Sequence, residues 1–83
     1  MIFYVYLLGN YDKSKLTTYV GHTNDLKKRV SLHNAGRGAK FTRGRKWKIM
    51  YIEKYFTKKE AISREYYIKN NRKFRNLLIK KYS

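Results

Sequence analysis

Neither cysteine nor proline occurs in the 83 residues. Without cysteine, disulfides and thiolate metal sites are excluded, and the redox compartment cannot be read from the chain. The lack of proline, together with 42% hydrophobic residues, argues for an ordered chain. Long apolar runs are missing too. The N-terminal IFYVYLL is far too short to span a bilayer, and it lacks both a basic flank before it and a small-residue cleavage site after it. A cytoplasmic globular protein without a membrane partner is expected. At this length residues 1–83 form one domain, near the lower limit for a core that needs no staples.

Acids are the scarcest of the charged types. Five Asp and Glu stand against 21 Lys and Arg, for a net charge of +16. Self-repulsion of that size is tolerated when the partner is a polyanion. Nucleic acid, bound by phosphate neutralisation and counterion release, leads that class. An anionic membrane surface is the competitor, but no segment separates into clean basic and apolar halves. Five acids also limit the chemistry. A two-metal nuclease clamps its ions with clustered carboxylates, and this chain cannot assemble such a cluster. It has no Walker loop, no His-Glu-x-x-His and no Ser-His-Asp set. Any phosphodiester hydrolysis must use one metal and uncharged helpers.

The alternating, aromatic stretch Ile2–Leu8 reads as a strand, and Leu16–Gly21 as a second, paired with it through a loose GNYDKSK connection. Asn24 or Asp25 caps a helix running to about Ala35, with Gly36 as its stop. GRGAKFTRGRK is a basic, glycine-punctuated loop. WKIMYIEKYF alternates as a third strand. Thr57 and Glu60 form a capping box, with Phe56 placed to staple onto Ala61. A second helix follows to about Lys69, and RKFRNLLIKKY is a third. The order is β-β-α-β-α-α, a small α+β domain with a three-stranded antiparallel sheet flanked by helices.

Two of these helices carry charge in the wrong place. On a helical wheel Leu26 and Val30 sit together, Leu32 closes the arc, and Arg29 and His33 fall between them. In the second helix Ala61, Ile62 and Ile68 define the apolar arc, and Glu65 lies inside it. Elimination isolates Glu65: Asp25 is a cap, Glu60 belongs to the capping box, Asp12 sits in a loop and Glu53 on a strand beside lysines. A carboxylate on a core-facing arc must be paired, hydrogen-bonded or bound to a metal. One reading is a buried Glu65–Arg29 ion pair that fixes helix packing. The other is a cleft in which Glu65 holds a cation, Arg29 grips a phosphate oxygen and His33 supports either.

Nine tyrosines is a high density for this length. Tyr51, Tyr55, Tyr66, Tyr67 and Tyr82 read as core or sheet filler. Tyr6 and Tyr19 keep different company. YVY (Tyr4-Val5-Tyr6) and YVG (Tyr19-Val20-Gly21) resemble the two signatures of the GIY-YIG endonuclease family. Arg29 follows Tyr19 by ten residues, His33 follows by four more, and Glu65 stands in a later helix, as that pattern requires. The resemblance covers essentially the whole chain. It is closest to short stand-alone members, similar to the catalytic domain of the excision-repair incision nuclease. Tyr4 replaces the glycine of the first motif, and Asn76 is the nearest match by spacing to the family's late asparagine.

The resemblance implies metal-assisted phosphodiester hydrolysis on DNA, in repair or recombination. Tyr6 or Tyr19 takes the proton of an attacking water, Arg29 stabilises charge on the phosphoryl oxygens, and Glu65 holds Mg²⁺, for which Mn²⁺ can substitute. His33 orients a tyrosine hydroxyl or contacts phosphate, and Gly21 permits the tight exit from the strand. His22 points into the cleft or sits solvated in a turn. Arg37, Lys40, Arg43, Arg45 and Lys46 are expected to contact the nucleic-acid backbone, with Lys69 and Arg72, Lys73 and Arg75 extending the track. Phe41 and Thr42 read as packing and turn chemistry. A compact fold with one basic loop leaves little surface for reading base edges, so recognition of shape or junctions is expected. The alternative is a nucleic-acid-binding module that keeps the fold without catalysis. A targeting partner cannot be read from the chain.

Overall fold

The computed structural model describes the backbone of residues 1–82 and the side chains of residues 1–81, so the expectation for Tyr82 lies outside the described side chains. Its elements are β1 (Phe3–Asp12), β2 (Lys15–Thr23), α1 (Leu26–Asn34), a 3₁₀ turn (Lys40–Thr42), β3 (Lys48–Tyr55), α2 (Lys58–Lys69) and α3 (Arg72–Tyr82). The strands form one antiparallel sheet in the order β2-β1-β3, so β1 is central and β2 is an edge. The expected order of elements is the observed one. Among the described residues no helix is long and apolar enough to cross a membrane.

Residues Val5 to Leu8 carry no charge, which lets β1 be covered on both faces. Strand alternation splits them. Val5 and Leu7, with Val20, pack under Ala61 and Ile68 of α2 and Leu78 of α3. Tyr6 and Leu8 pack with Trp47 on the opposite face, where Leu26 and Val30 of α1 close the cluster. The sheet therefore lies between α1 with its following loop and the α2–α3 pair.

Local signals account for most boundaries, and four expectations are corrected. The hairpin is tight, not loose: Asp12 pairs with Lys15 across Lys13 and Ser14. Both turn residues have positive φ (50° and 68°), the combination that matches the twist of the flanking strands. The α1 entry is as expected, since the Asp25 carboxylate accepts from the Lys28 N–H. Its exit adds two bonds, Arg37 N–H to Leu32 O and Gly36 N–H to His33 O, with Gly36 at φ 76°. At α2 the Thr57 hydroxyl accepts from the Glu60 N–H, but Phe56 is 83% exposed and forms no staple. Ile62 is 46% exposed and lies off the buried arc.

The fourth correction concerns Glu53, whose place is not explained by neighbouring lysines. Arg64 of α2 donates to both of its oxygens, at 2.7 and 3.0 Å, and the Tyr51 and Tyr55 hydroxyls donate to it as well. Burial alone would raise the Glu53 carboxyl, but these donors outweigh it and hold the group below the usual carboxylate range. The guanidinium in turn lies over the rings of Tyr67 and Phe74. Tyr51 and Tyr55 pack against the core as expected and are hydrogen-bond donors besides, whereas Tyr66 and Tyr67 are exposed. One carboxylate ties β3, α2 and α3 together.

Candidate active site

The β1–β2 register sets Tyr6 opposite Gly21 and Leu8 opposite Tyr19, which brings both motif tyrosines to the α1 face of the sheet. Gly21 lies inside β2, not in a turn. A Cβ there would stand 2.3 Å from the Tyr6 hydroxyl oxygen and 2.5 Å from its Cζ. The glycine is required because the Tyr6 ring lies across its Cα, and the expected tight chain exit is corrected accordingly.

A buried chain of hydrogen bonds starts at that ring. Tyr6 bonds His33 Nε2 at 2.9 Å, and His33 Nδ1 bonds Thr42 Oγ1 at 2.9 Å. The Thr42 hydroxyl donates its one proton to the Ala39 carbonyl and also accepts from the Ala39 N–H. Nδ1 must therefore carry the imidazole proton, and Nε2 accepts from the Tyr6 O–H. His33 and Thr42 are both fully buried, and a Cβ on Gly38 would stand 2.3 Å from His33 Nδ1. Burial, then the nearby Arg29 charge, lowers the His33 pKa and favours the neutral ring. Burial also pushes the Tyr6 hydroxyl up to about 12, with Arg29 pulling against it.

Arg29 is half-buried, and its Nε is a buried donor without a partner among the described residues. It lines a cleft of about 320 Å³ with Phe3, His22, Thr23, Asn24 and Lys58. Glu65 stands on α2 and is joined to this cleft through His22. The expected Glu65–Arg29 pair is not formed. Glu65 Oε1 lies 2.6 Å from His22 Nδ1, and Oε2 lies 3.0 Å from Lys69 Nζ. His22 follows Gly21 on β2 and so faces the opposite side of the sheet from Tyr19. The cluster thus wraps around the edge strand. Tyr6, Tyr19, Arg29 and His33 stand on one side, and His22, Glu65 and Lys69 on the other. A central strand, paired on both edges, would have walled the two sides apart.

Tyr19 is half-buried, with its ring centroid 5.0 Å from that of His33. It also lines a groove of about 200 Å³ with Thr18, Val20, Lys69 and Arg75. Arg37, Lys40, Arg43, Arg45 and Lys46 are all exposed along the segment after α1, and Arg72 and Lys73 are exposed on α3. Asn76 is exposed on α3, and the α3 residue in the groove beside Tyr19 is its neighbour Arg75. Thr42 and Gly38 were not singled out for the site by the sequence. Their signal is invisible in one dimension, because each matters through a single atom of His33.

A divalent cation can be tested against this donor set. Among the described residues no three His, Cys, Asp or Glu side chains gather in a group able to hold a metal. Glu65, with its side chain 18% exposed, offers one carboxylate. That suits a hard ion that keeps several waters and takes one carboxylate plus a substrate phosphate. It does not suit an ion needing a full protein cage. Both oxygens already have protein partners, His22 on Oε1 and Lys69, itself 47% exposed, on Oε2, so an ion there would replace one of these contacts.

The fold and the site together define a small nuclease-type domain: a three-stranded sheet with two tyrosines on β1 and β2, an arginine and a histidine from α1 on one side, and a glutamate from α2 on the other. The GIY-YIG catalytic domain matches over residues 2–82, and the chain belongs to that family of nuclease domains. It is 43% identical over 75 residues to the UPF0213 protein OB0043 of Oceanobacillus iheyensis, covering 89% of this chain and 84% of that one. It is 54% identical over 67 residues to the UPF0213 protein CPE1444 of Clostridium perfringens, covering 80% and 69%. Among solved structures it resembles the solution NMR structure of the UPF0213 protein BH0048 from Bacillus halodurans. The TM-score is 0.56 at 34% identity, over 96% of this chain and 84% of the other.

Proposed function

We propose that this chain is a divalent-metal-dependent DNA endonuclease that acts on DNA structure rather than sequence, in repair or recombination. The observation that carries the reading is Arg29. Its buried Nε is a charged donor with no acceptor among the described residues, and such a group is costly unless a ligand completes it. An anionic oxygen is the ligand it suits, and the tyrosines, histidine and glutamate beside it are the groups that hydrolysis of a phosphodiester would use.

In this reading Arg29 holds a non-bridging phosphate oxygen and stabilises the charge that develops there. Tyr19, after releasing its own hydroxyl proton to solvent, takes the proton of the attacking water, because it lines an open groove. Tyr6 is 1% exposed and its proton is committed to His33 Nε2. Its part is to fix the ring that Tyr19 leans on, with Thr42 holding the far nitrogen. A Mg²⁺ or Mn²⁺ bound at Glu65 would supply neutralisation of the leaving oxygen. Arg37, Lys40, Arg43, Arg45 and Lys46 follow the phosphate backbone and fix orientation without reading bases.

The test is a nicking assay on supercoiled, branched and single-stranded DNA with Mg²⁺ or Mn²⁺. Wild type is compared with Glu65→Gln and Arg29→Ala. The expected result is metal-dependent cutting that falls at least a hundredfold in both variants, with DNA binding retained. Salt-sensitive binding without cutting in any protein would identify a binding module instead.

A further inference from the structure

Phe41 is an exposed aromatic in the most basic segment of the chain. It is 52% exposed, and the turn that carries it has Arg37, Lys40, Arg43, Arg45 and Lys46 around it. One side of this ring packs: Phe41 lies nearly parallel to Tyr19, at 21° and 6.2 Å between centroids, with Trp47 at 6.3 Å. The Arg45 guanidinium stands 5.2 Å from the same ring. Tyr19, Phe41 and Arg45 therefore form a short stack that starts at the groove lined by Tyr19 and runs out to solvent.

Flat, apolar and cationic surfaces in this order are what an unpaired base stacks on. Aromatic rings and arginine planes accept any base, since every base has a π-face, while neighbouring lysines and arginines hold the phosphates. A paired base inside a duplex cannot reach such a shelf. We infer that Phe41, with Arg45, is a stacking platform for an unpaired nucleobase next to the phosphate being cut, which directs the enzyme to single-stranded, gapped or forked DNA. The inference rests on the DNA-nuclease reading and narrows its substrate.

The platform is joined to the reacting groups by one peptide bond. Thr42 follows Phe41 in the same 3₁₀ turn and holds His33 Nδ1. A base seated on Phe41 braces the turn that sets the imidazole, so an unpaired strand both occupies the shelf and steadies the site.

The experiment measures binding without divalent cation, so that nothing is cut. A labelled single strand and the fully paired duplex of the same sequence are titrated with wild type, Phe41→Leu and Phe41→Trp. Leucine keeps apolar cover but cannot stack, and tryptophan keeps the stack. The expected result is that the ratio of single-strand to duplex affinity falls about five- to a hundredfold in Phe41→Leu, the range one stacked base provides, and is kept in Phe41→Trp. A 2-aminopurine base in the single strand should be quenched by wild type and not by Phe41→Leu. An unchanged ratio, whether both affinities fall together or neither moves, would overturn the proposal. If the ratio falls while the nicking assay shows no cutting, the platform stands and the nuclease reading fails. Cutting with an unchanged ratio means the reverse.

Discussion

Two tyrosines of the site differ by their surroundings, not by their chemistry. Tyr6 is sealed beneath Gly21 with its hydroxyl on a histidine, while Tyr19 stands in the open groove. Removing each hydroxyl should separate a positioning role from a reacting one. Tyr19→Phe is expected to lower cutting by a hundredfold or more, in the range of a lost general base, with an unchanged urea midpoint. Tyr6→Phe leaves His33 Nε2 buried without its donor and is expected to cost about 1–3 kcal/mol of stability. Its loss of rate should be smaller. Equal rate losses in the two variants, measured on one nicked-plasmid substrate, would show that both hydroxyls react. Motif spacing brought out both tyrosines but could not rank them, because accessibility is set by what the chain folds over each ring. Thr42 escaped notice for a related reason. A threonine in a basic loop looks like turn chemistry until its hydroxyl is found on the imidazole.

Among the elements, the strands and helices were legible because each has a local cause: alternation in β1 and β3, the Asp25 cap of α1, Thr57 before α2. Their contacts were not. Arg64 on α2 reads as a solvated helix residue, yet it binds Glu53 of β3 through two hydrogen bonds and lies against Phe74 of α3. Arg64→Met keeps most of the unbranched stem and removes the pairing, leaving Glu53 with its two tyrosines alone. Because Arg64 is itself 30% exposed, the cost should be below that of a fully buried pair, about 2 kcal/mol in chemical denaturation. Cutting per folded molecule should be kept, since the pair lies on the far edge of the sheet from β2. A variant as stable as wild type would show that the three elements are held by their apolar contacts alone.

For the molecule as a whole, the buried neutral His33 makes stability depend on pH. Its pKa in the fold lies below the ordinary 6.5. Below that pH the unfolded chain takes up a proton that the folded chain refuses, so stability falls as pH drops from about 6.5 toward the folded value. Above that window the dependence vanishes. Glu53 acts further down, because its carboxyl is held below 4.5. Its contribution is present above 4.5 and is lost as pH falls through its folded value. Urea midpoints from pH 8 to 5 should be flat and then decline, with a slope of at most about one proton. In His33→Gln that slope should disappear. A decline of equal steepness in the variant would assign the effect to other groups.

The sequence by itself determined the order of elements, the strong positive charge and the motif positions, because alternation, capping and motif spacing are local and survive in one dimension. It also carried the family, through Tyr6, Tyr19, Gly21, Arg29, His33 and Glu65. Only the tertiary structure decided the partners. Glu65 meets His22 and Lys69 instead of Arg29 because β2 is an edge strand, and side chains from both layers can reach around it. Gly21 serves a ring rather than a turn because the β1–β2 register puts Tyr6 on its Cα. Phe41 packs one side against Tyr19 and Trp47 and leaves half its surface open because the turn that carries it stands outside the core. Each of these depends on which atoms meet across the sheet, and spacing along a chain does not record that.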